Sequence, residues 1–560
     1  MSRKKIRKKP PKVDLREIKL EELKAIIDKA KTASLSEEDR EKLEAAVETL
    51  AFLTNELERK GVSIQRLRKL IFGASTEKTS QVFKETPEKS GGGTDSSSAD
   101  GGDKKEDEKK KKKRKGHGRN GASDYPGAEK IKIPHESLQH GDGCPECERG
   151  KVYRQNEPGV IVRVKGMAPL SATVYEQEKL RCNLCGEVFT AAAPEGVGEE
   201  KYDETAASMI GQLKYGVGLP FNRIERLERG MGIPLPAGTQ WELVERAADK
   251  MAPAYDELIY QAAQGDVLHN DDTTAKILEL CGQSRQEAMK DKDSKERTGV
   301  FTSGIVSVGS GHKIALFFTG RNHAGENLEK VLKERAEGLG PPIQMCDLLS
   351  SNTAGDFETI VAGCMAHSRR KYVEVANNFP EPVKHVLEEL KKVYKNDATA
   401  RKEGMSPEER LAFHQIESGP VMKDLESWLD EQIKEKKVEP NSSLGEAIDF
   451  MQRHWEKLTR FLHVPGAPLD NNIVERALKK SILHRKNAYF YKTENGARVG
   501  DMFMTFIHTA ELNGVDPFFY LVALQRHAKE VAENPAEWMP WNYKETMVRL
   551  GLGPDPPPQS

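Results

Sequence analysis

One stretch of this chain alternates like a sheet, and it limits the folds open to the rest. Gly265-Asp266-Val267-Leu268-His269-Asn270-Asp271-Asp272 leads into Ala275-Lys276-Ile277-Leu278-Glu279-Leu280, and then come residues 299–308, 313–318 and Ile343-Gln344-Met345-Cys346-Asp347. Runs of β-branched and apolar residues bounded by Gly, Asn and Asp mark these as strands. The 3.6-residue spacing over 327–337 marks a helix before the last of them. Nearly everything else reads as helix or as polar low-complexity sequence.

Three antiparallel strands, a helix and a further strand predict the opening of a ribonuclease-H-like α/β fold within a multidomain α+β chain. In that order Asp271 ends the first strand and Asp347 the fourth. Carboxylates at the ends of neighbouring strands converge, and they cannot all stay ionised unless a cation lies between them. Two divalent ions held there would activate an attacking oxygen and stabilise the leaving oxygen of a phosphodiester.

A third acid is offered by Pro468-Leu469-Asp470-Asn471-Asn472-Ile473-Val474-Glu475-Arg476, which follows a Pro/Gly turn and opens an amphipathic helix capped by Asp470. Val474, Ala477, Leu478, Ser481 and Ile482 share one side of it. Asn471, Asn472, Glu475 and Lys479 share the other. The first two acids are 76 positions apart (271 to 347) and the third lies 128 further on (347 to 475), so an insertion separates sheet from helix. Charged helical sequence from about 379 to 463 fills that gap. Between the second and third acids, Arg369, Arg370 and Lys371 read either as phosphate ligands or as partners of nearby glutamates.

At 560 residues the chain exceeds a single ordinary core. Residues 14–84 carry Leu43, Ala46, Leu50, Leu53, Leu57, Ile64, Leu67 and Ile71 at heptad spacing, which predicts a coiled coil or a helical hairpin burying the same stripe. Residues 85–124 form a Gly/Ser/Lys linker with almost nothing apolar to bury, including the basic run 109–115. In 125–200, Cys144, Cys147, Cys182 and Cys185 give two Cys-x₂-Cys knuckles that suit a closed tetrahedral structural Zn²⁺ site. Val160–Val164 and Ala172–Tyr175 are expected as strands between the knuckles. Residues 201–260 predict short helices compatible with a helix-turn-helix or a plain bundle, with Lys214, Arg223 and Arg226 as phosphate contacts. The core then spans 261–500, and a helical region with Trp538 and Trp541 closing it occupies 501–560.

Net charge is −1, so any nucleic-acid surface must come from local segregation of charge. No stretch approaches the roughly 20 apolar residues of a membrane span, and no apolar signal region follows the basic start. A cytoplasmic location without membrane association is expected. Cys281, Cys346 and Cys364 are expected as core thiols.

Ile71-Phe72-Gly73-Ala74-Ser75-Thr76-Glu77-Lys78, the four paired cysteines, Leu219-Pro220-Phe221-Asn222-Arg223, Gly363-Cys364-Met365-Ala366-His367-Ser368-Arg369-Arg370-Lys371-Tyr372, Asp470-Asn471-Asn472-Ile473-Val474-Glu475-Arg476-Ala477, His484-Arg485-Lys486-Asn487 and Met539-Pro540-Trp541-Asn542-Tyr543 occur in this order. The chain thereby resembles transposases of the insertion sequence 66 family over most of its length. The resemblance implies a DDE-type enzyme that cuts transposon ends and joins them to target DNA with Mg²⁺ or Mn²⁺. It implies Asp271, Asp347 and Glu475 as the catalytic metal-binding acids. DNA contacts are expected at Arg369, Arg370, Lys371, Arg476, Lys479, Arg485 and Lys486. A homo-oligomer, accessory proteins of the same element and a bacterial nucleoid setting are expected with it. Two departures stand out: the family's Asp-Glu-Thr-Pro is Asp271-Asp272-Thr273-Thr274 here, and Leu348-Leu349 replaces the Gly-Tyr after the second acid. The second leaves Asp356 as an alternative second acid, and it leaves open a catalytically inactive or regulatory DNA-binding protein.

Overall fold

The computed structural model describes residues 200–281 and 299–553, together with short pieces between 137 and 194. The expected coiled coil, the linker and the four paired cysteines lie outside the described residues. The described residues belong to two compact units, divided between Pro169 and Leu170. In the smaller, Gly143 and Lys151 form an antiparallel bridge and His140 meets the Tyr153 ring edge-on at 5.4 Å.

Among the described residues of the larger unit, the first strands are a hairpin of β1 (Lys179–Arg181) and β2 (Val188–Thr190). The strand expected over Ala172–Tyr175 is absent. Val174 and Tyr175 are exposed there and have no sheet face to pack on, which is what strand propensity mostly reflects.

Helices α1 (Glu204–Gly211), α2 (Phe221–Gly230) and α3 (Ala237–Ala263) follow. Asp203 caps α1, and α3 buries Val244, Ala248, Met251, Leu258 and Ala262. Arg223 and Arg226 are exposed. Lys214 is not the phosphate contact expected: it is buried, its Nζ lies 3.0 Å from His484 Nε2, and the Phe221 ring sits 4.9 Å away. Burial pulls its pKa down to about 8.

Among the described residues the sheet has five strands: β3 (Val267–Thr274), β4 (Phe301–Gly309), β5 (His312–Gly320), β6 (Ile343–Cys346) and β7 (Ile360–Gly363). Their order is β5-β4-β3-β6-β7, antiparallel among the first three and parallel across β3-β6-β7. Residues 275–280, expected as strand, leave the sheet instead. Ile277 bridges Tyr491, and Leu278–Leu280 form a 3₁₀ turn. The helix before β6 is α4 (Ala324–Leu332), earlier than its apolar spacing suggested, because Glu326 accepts from His323 N and fixes the start.

Beyond β7 run α5 (Met365–Val375), α6 (Pro380–Glu403), α7 (Pro407–Glu417), α8 (Gly419–Lys434), α9 (Ser443–Arg453) and α10 (Trp455–Leu458). They bury a core of their own around Tyr372, Val386, Leu390, Leu425, Ile448 and Phe461. The chain then returns to the sheet as α11 (Asn472–Ala488) and α12 (Glu494–Leu512). It ends with α13 (Pro517–Arg526), α14 (Ala528–Glu533) and α15 (Tyr543–Arg549).

Strand β5 is an edge whose outward amides need acceptors. Helix α12 supplies them. Thr509 Oγ1 accepts from Ala315 N at 3.1 Å, Thr505 Oγ1 from Phe317 N at 3.2 Å and Asp501 Oδ2 from Thr319 N at 2.6 Å. Trp538 is buried beneath this layer, and Trp541 is half-buried and stacked on His312 at 4.3 Å. Among the described residues no helix is long and apolar enough to cross a membrane.

Candidate active site

Strand β3 continues past the end of its parallel partner. Its pairing with β6 stops at His269, while its pairing with β4 runs on to Thr274. Asp271 therefore lies within β3, opposite Gly304, just beyond the end of β6 rather than at the end of its own strand. Asp347 directly follows β6. Alternation along β3 sends Asp272 to the other face, where its carboxylate pairs with His323 Nδ1 at 2.8 Å beside the start of α4.

A buried amide network underlies the two acids. Asn352 Nδ2 donates to Asp347 Oδ1 at 2.8 Å and reaches Asp271 Oδ1 at 3.5 Å. The Asn352 carbonyl accepts from Asn270 Nδ2 at 2.6 Å and from Gln344 Nε2 at 2.7 Å. Gln344 Nε2 also donates to Asn270 Oδ1 at 3.0 Å. Gly325 in α4 lies so close to the Thr353 carbonyl that a Cβ would stand 2.1 Å from it, so a side chain there would push the 350–353 turn away. Asp356 is exposed, and the charges acting on Asp271 are those of Asp347, Glu475 and Asp272.

Helix α11 brings Glu475. Val474, Ala477 and Leu478 are buried against the sheet, and the missing side chain of Gly304 lets them approach: a Cβ there would sit 3.0 Å from Leu478 and 3.2 Å from Val474. Asp470 Oδ1 accepts from Asn472 N at 3.1 Å, the capping role expected of it. Asn471 is fully buried. Its Oδ1 lies 3.0 Å from His269 Nδ1, its Nδ2 donates to the Asn270 carbonyl at 3.0 Å, and its backbone N–H donates to Cys364 Sγ at 3.2 Å. The first turn of α11 is thereby tied to β3 next to Asp271.

Glu475 lies 3.7 Å from His367 Nδ1 and 3.8 Å from Arg370 Nη2, both on α5. The half-buried Asp271 carboxyl is pushed up to about 7, first by burial and then by Asp347, with Glu475 adding to it and the Asp272 N–H opposing. The carboxylates at the end of β6 and on α11 thus both act on the one in β3. Carboxylate oxygens are the donors a hard divalent cation takes, but those of the three acids do not all lie within 4.8 Å of one another.

Among the expected DNA contacts, Arg476, Lys479 and Lys486 are exposed on α11. Arg485 instead donates to Thr274 at the end of β3. Lys371 is exposed with its Nζ 4.3 Å from the Phe450 ring, while Arg369 is half-buried. Asn471, expected on the polar side of its helix, is instead buried against β3, while His269, Asn270, Gln344 and Asn352 were given no role by the sequence. Their one signal was a polar residue inside an apolar strand run, as at Gln344 between Ile343 and Met345.

A family model described as Transposase IS66 family matches residues 201–499, which span β3, Asp271, Asp347 and Glu475. Among similar proteins, Uncharacterized protein y4hP of Sinorhizobium fredii is 28% identical over 401 residues, covering 66% of this chain and 67% of that one. Uncharacterized protein y4jD of the same organism is 27% identical over 386 residues, covering 66% and 71%. A third from that organism, Uncharacterized protein y4qI, is 31% identical over 198 residues, or 35% of this chain and 36% of its own. With more than half its length matched by that model, the chain belongs to the IS66 family of transposases.

Proposed function

We propose that the chain is a DDE-type transposase that cuts DNA at the ends of an insertion sequence and joins them to target DNA, with Asp271, Asp347 and Glu475 as its metal-binding acids. The observation that carries this reading is that Asp271 in β3 and Asp347 just after β6 share the Asn352 amide while α11 brings Glu475 close enough to act on Asp271, whose carboxyl is pushed up to about 7 by burial first and by these charges next. The strand order β5-β4-β3-β6-β7, with three antiparallel strands and then two parallel ones, is that of a ribonuclease-H-like core and supports it. In this reading 261–500 is the catalytic core with its helical insertion, 201–260 a helical DNA-binding region, 14–84 a coiled coil, 85–124 a basic linker and 125–200 a zinc element.

Asp271, Asp347 and Glu475 would hold Mg²⁺ or Mn²⁺. Such ions, when bound, polarise the scissile phosphate and favour the ionised form of the attacking water or DNA 3′-hydroxyl. Asn352 orients Asp347, and the Asn471 contacts orient Glu475. Arg370 balances the charge of Glu475 and can turn to a phosphate once a cation takes over that carboxylate. Arg476, Lys479 and Lys486 supply exposed positive charge on the helix that carries the third acid.

The test is cleavage and joining of DNA carrying the element's ends by the purified full chain. Asp271→Asn, Asp347→Asn and Glu475→Gln are expected to bind this DNA and leave it unjoined. Joining by Glu475→Gln at the wild-type rate would remove that residue from the site. A second reading, a DNA-binding regulator without strand transfer, draws on the left-handed Leu348 (φ 67°) directly after Asp347. Absence of Mn²⁺ binding by the intact chain would favour it.

A further inference from the structure

We propose that Cys364, His367 and Glu475 form a second cation site that takes a thiophilic divalent ion of the zinc class and shares Glu475 with the three-carboxylate site. Among the described residues this is the one group of three His, Cys, Asp or Glu whose ligand atoms all lie within 4.8 Å of one another. The Asp271, Asp347 and Glu475 oxygens are not drawn together so closely.

The His367–Glu475 distance suits two ligands of one ion. His367 Nδ1 and Glu475 Oε1 stand 3.7 Å apart, beyond a hydrogen bond. With metal–ligand bonds of about 2.0–2.3 Å, the edge of a tetrahedron is roughly 3.3–3.7 Å. Glu475 Oε1 is buried and has no hydrogen-bond partner. Cys364 is the cap of α5 and His367 sits on its first turn, so Cys-x₂-His places both donors on one side of the helix facing α11. The Asn471 N–H already orients the Cys364 sulfur from the α11 side.

A donor set of sulfur, imidazole and carboxylate selects Zn²⁺ over Mg²⁺, whereas three carboxylates select the reverse. The two sites therefore compete for Glu475 with ions of different softness. An ion on Cys364 and His367 withdraws the third acid, so a zinc-class ion lowers strand transfer while Mg²⁺ or Mn²⁺ supports it. Only this last consequence rests on the reading of Glu475 as catalytic.

The full chain, Cys364→Ser and His367→Gln are each loaded with Zn²⁺, dialysed, and their metal content is counted. The wild type is expected to hold one ion more than either variant, whatever the four paired cysteines hold in all three. The Co²⁺-loaded wild type is expected to show more thiolate-to-metal absorption than Cys364→Ser. Equal counts and equal spectra overturn the site. The count needs no DNA, so a chain inactive in strand transfer still answers it. Normal strand transfer with equal counts sinks this site alone and leaves the transposase reading standing.

Discussion

His269 Nδ1 and Asn471 Oδ1 meet at 3.0 Å across 202 residues of sequence, both side chains buried. Burial brings the His269 pKa down to about 4, so the ring is neutral at pH 7 and donates its Nδ1 proton to the amide. Asn471→Ala strands that donor and the Asn270 carbonyl together. Leaving a buried polar group unsatisfied costs about 1–3 kcal/mol, and a loss of at least that size is expected in the urea midpoint. Joining activity is expected to fall further than the lost stability explains, because the start of α11 positions Glu475. An unchanged midpoint would mean that the contact carries no weight.

Asp271 sets a pH dependence of opposite sign to that histidine. Its folded pKa, about 7, lies above the ordinary carboxyl value, so the stability it contributes is complete at low pH and is lost as pH rises through 7. Asp271→Asn removes the buried charge, so without divalent ions the variant is expected to be more stable than wild type at pH 8, by on the order of 2–4 kcal/mol. The gain should vanish near pH 4. Mn²⁺ is expected to raise the melting temperature of the wild type and not of Asp271→Asn, and this rise should weaken below pH 7 as the carboxyl takes up its proton. A variant less stable than wild type at pH 8 in chelator would contradict the electrostatic account.

The residue after Asp347 offers a test of backbone strain. Leu348 has φ 67°, a left-handed conformation costing roughly 1–2 kcal/mol for a side chain with a Cβ. It is kept because Leu348 is half-buried against the core of the helices beyond β7, its Cδ1 beside Gly363. Leu348→Ala loses the packing and keeps the strain. Leu348→Gly loses the packing and relieves the strain. Glycine is therefore expected to be tolerated better than alanine by about 1 kcal/mol in urea unfolding, the reverse of their usual order. Alanine proving equal or better would show that the left-handed backbone is not maintained.

Strands β3, β4 and β5 were legible because each runs eight or nine residues, and four-residue β6 because Pro341-Pro342 and Asp347 bound its apolar run. Strand β7 was not, since Ile360–Gly363 has only four residues and parallel strands bury both faces, leaving no alternation to read. Residues 275–280 misled for the opposite reason. Their apolar alternation serves a bridge to Tyr491 and a 3₁₀ turn, and nothing local records a partner more than 200 residues away. The same holds at the site. Acids in strand-end positions are visible in sequence, whereas the meaning of Asn471 lies in His269, Asn270 and Cys364, which only the folded chain brings to it. Leu348 was noticed as a departure from its relatives, but its left-handed backbone is a property of the turn rather than of the residue.

Basic residues on α11 look alike in sequence and differ in the fold, and DNA binding can tell them apart. Arg476, Lys479 and Lys486 are exposed, Arg485 is engaged with Thr274, and Lys214 is buried on His484. A lysine or arginine on a phosphate releases condensed counterions, so each such contact adds about 0.9 to the slope of log affinity against log salt on duplex DNA. Ala substitution of Arg476, Lys479 or Lys486 is expected to lower the slope by about 1 at each position that meets a phosphate, weakening all DNA sequences alike and leaving the melting temperature within error. Lys214→Ala should behave in the opposite way: a lowered melting temperature from the cavity and the lost Lys214–His484 contact, with an unchanged salt slope in the fraction that stays folded. Fluorescence anisotropy across a salt series, run beside thermal unfolding, reads both quantities. If Lys479→Ala and Lys486→Ala leave the slope unaltered, α11 does not face the DNA backbone, and the phosphate contacts must be sought on Arg369, Arg370 and Lys371 instead.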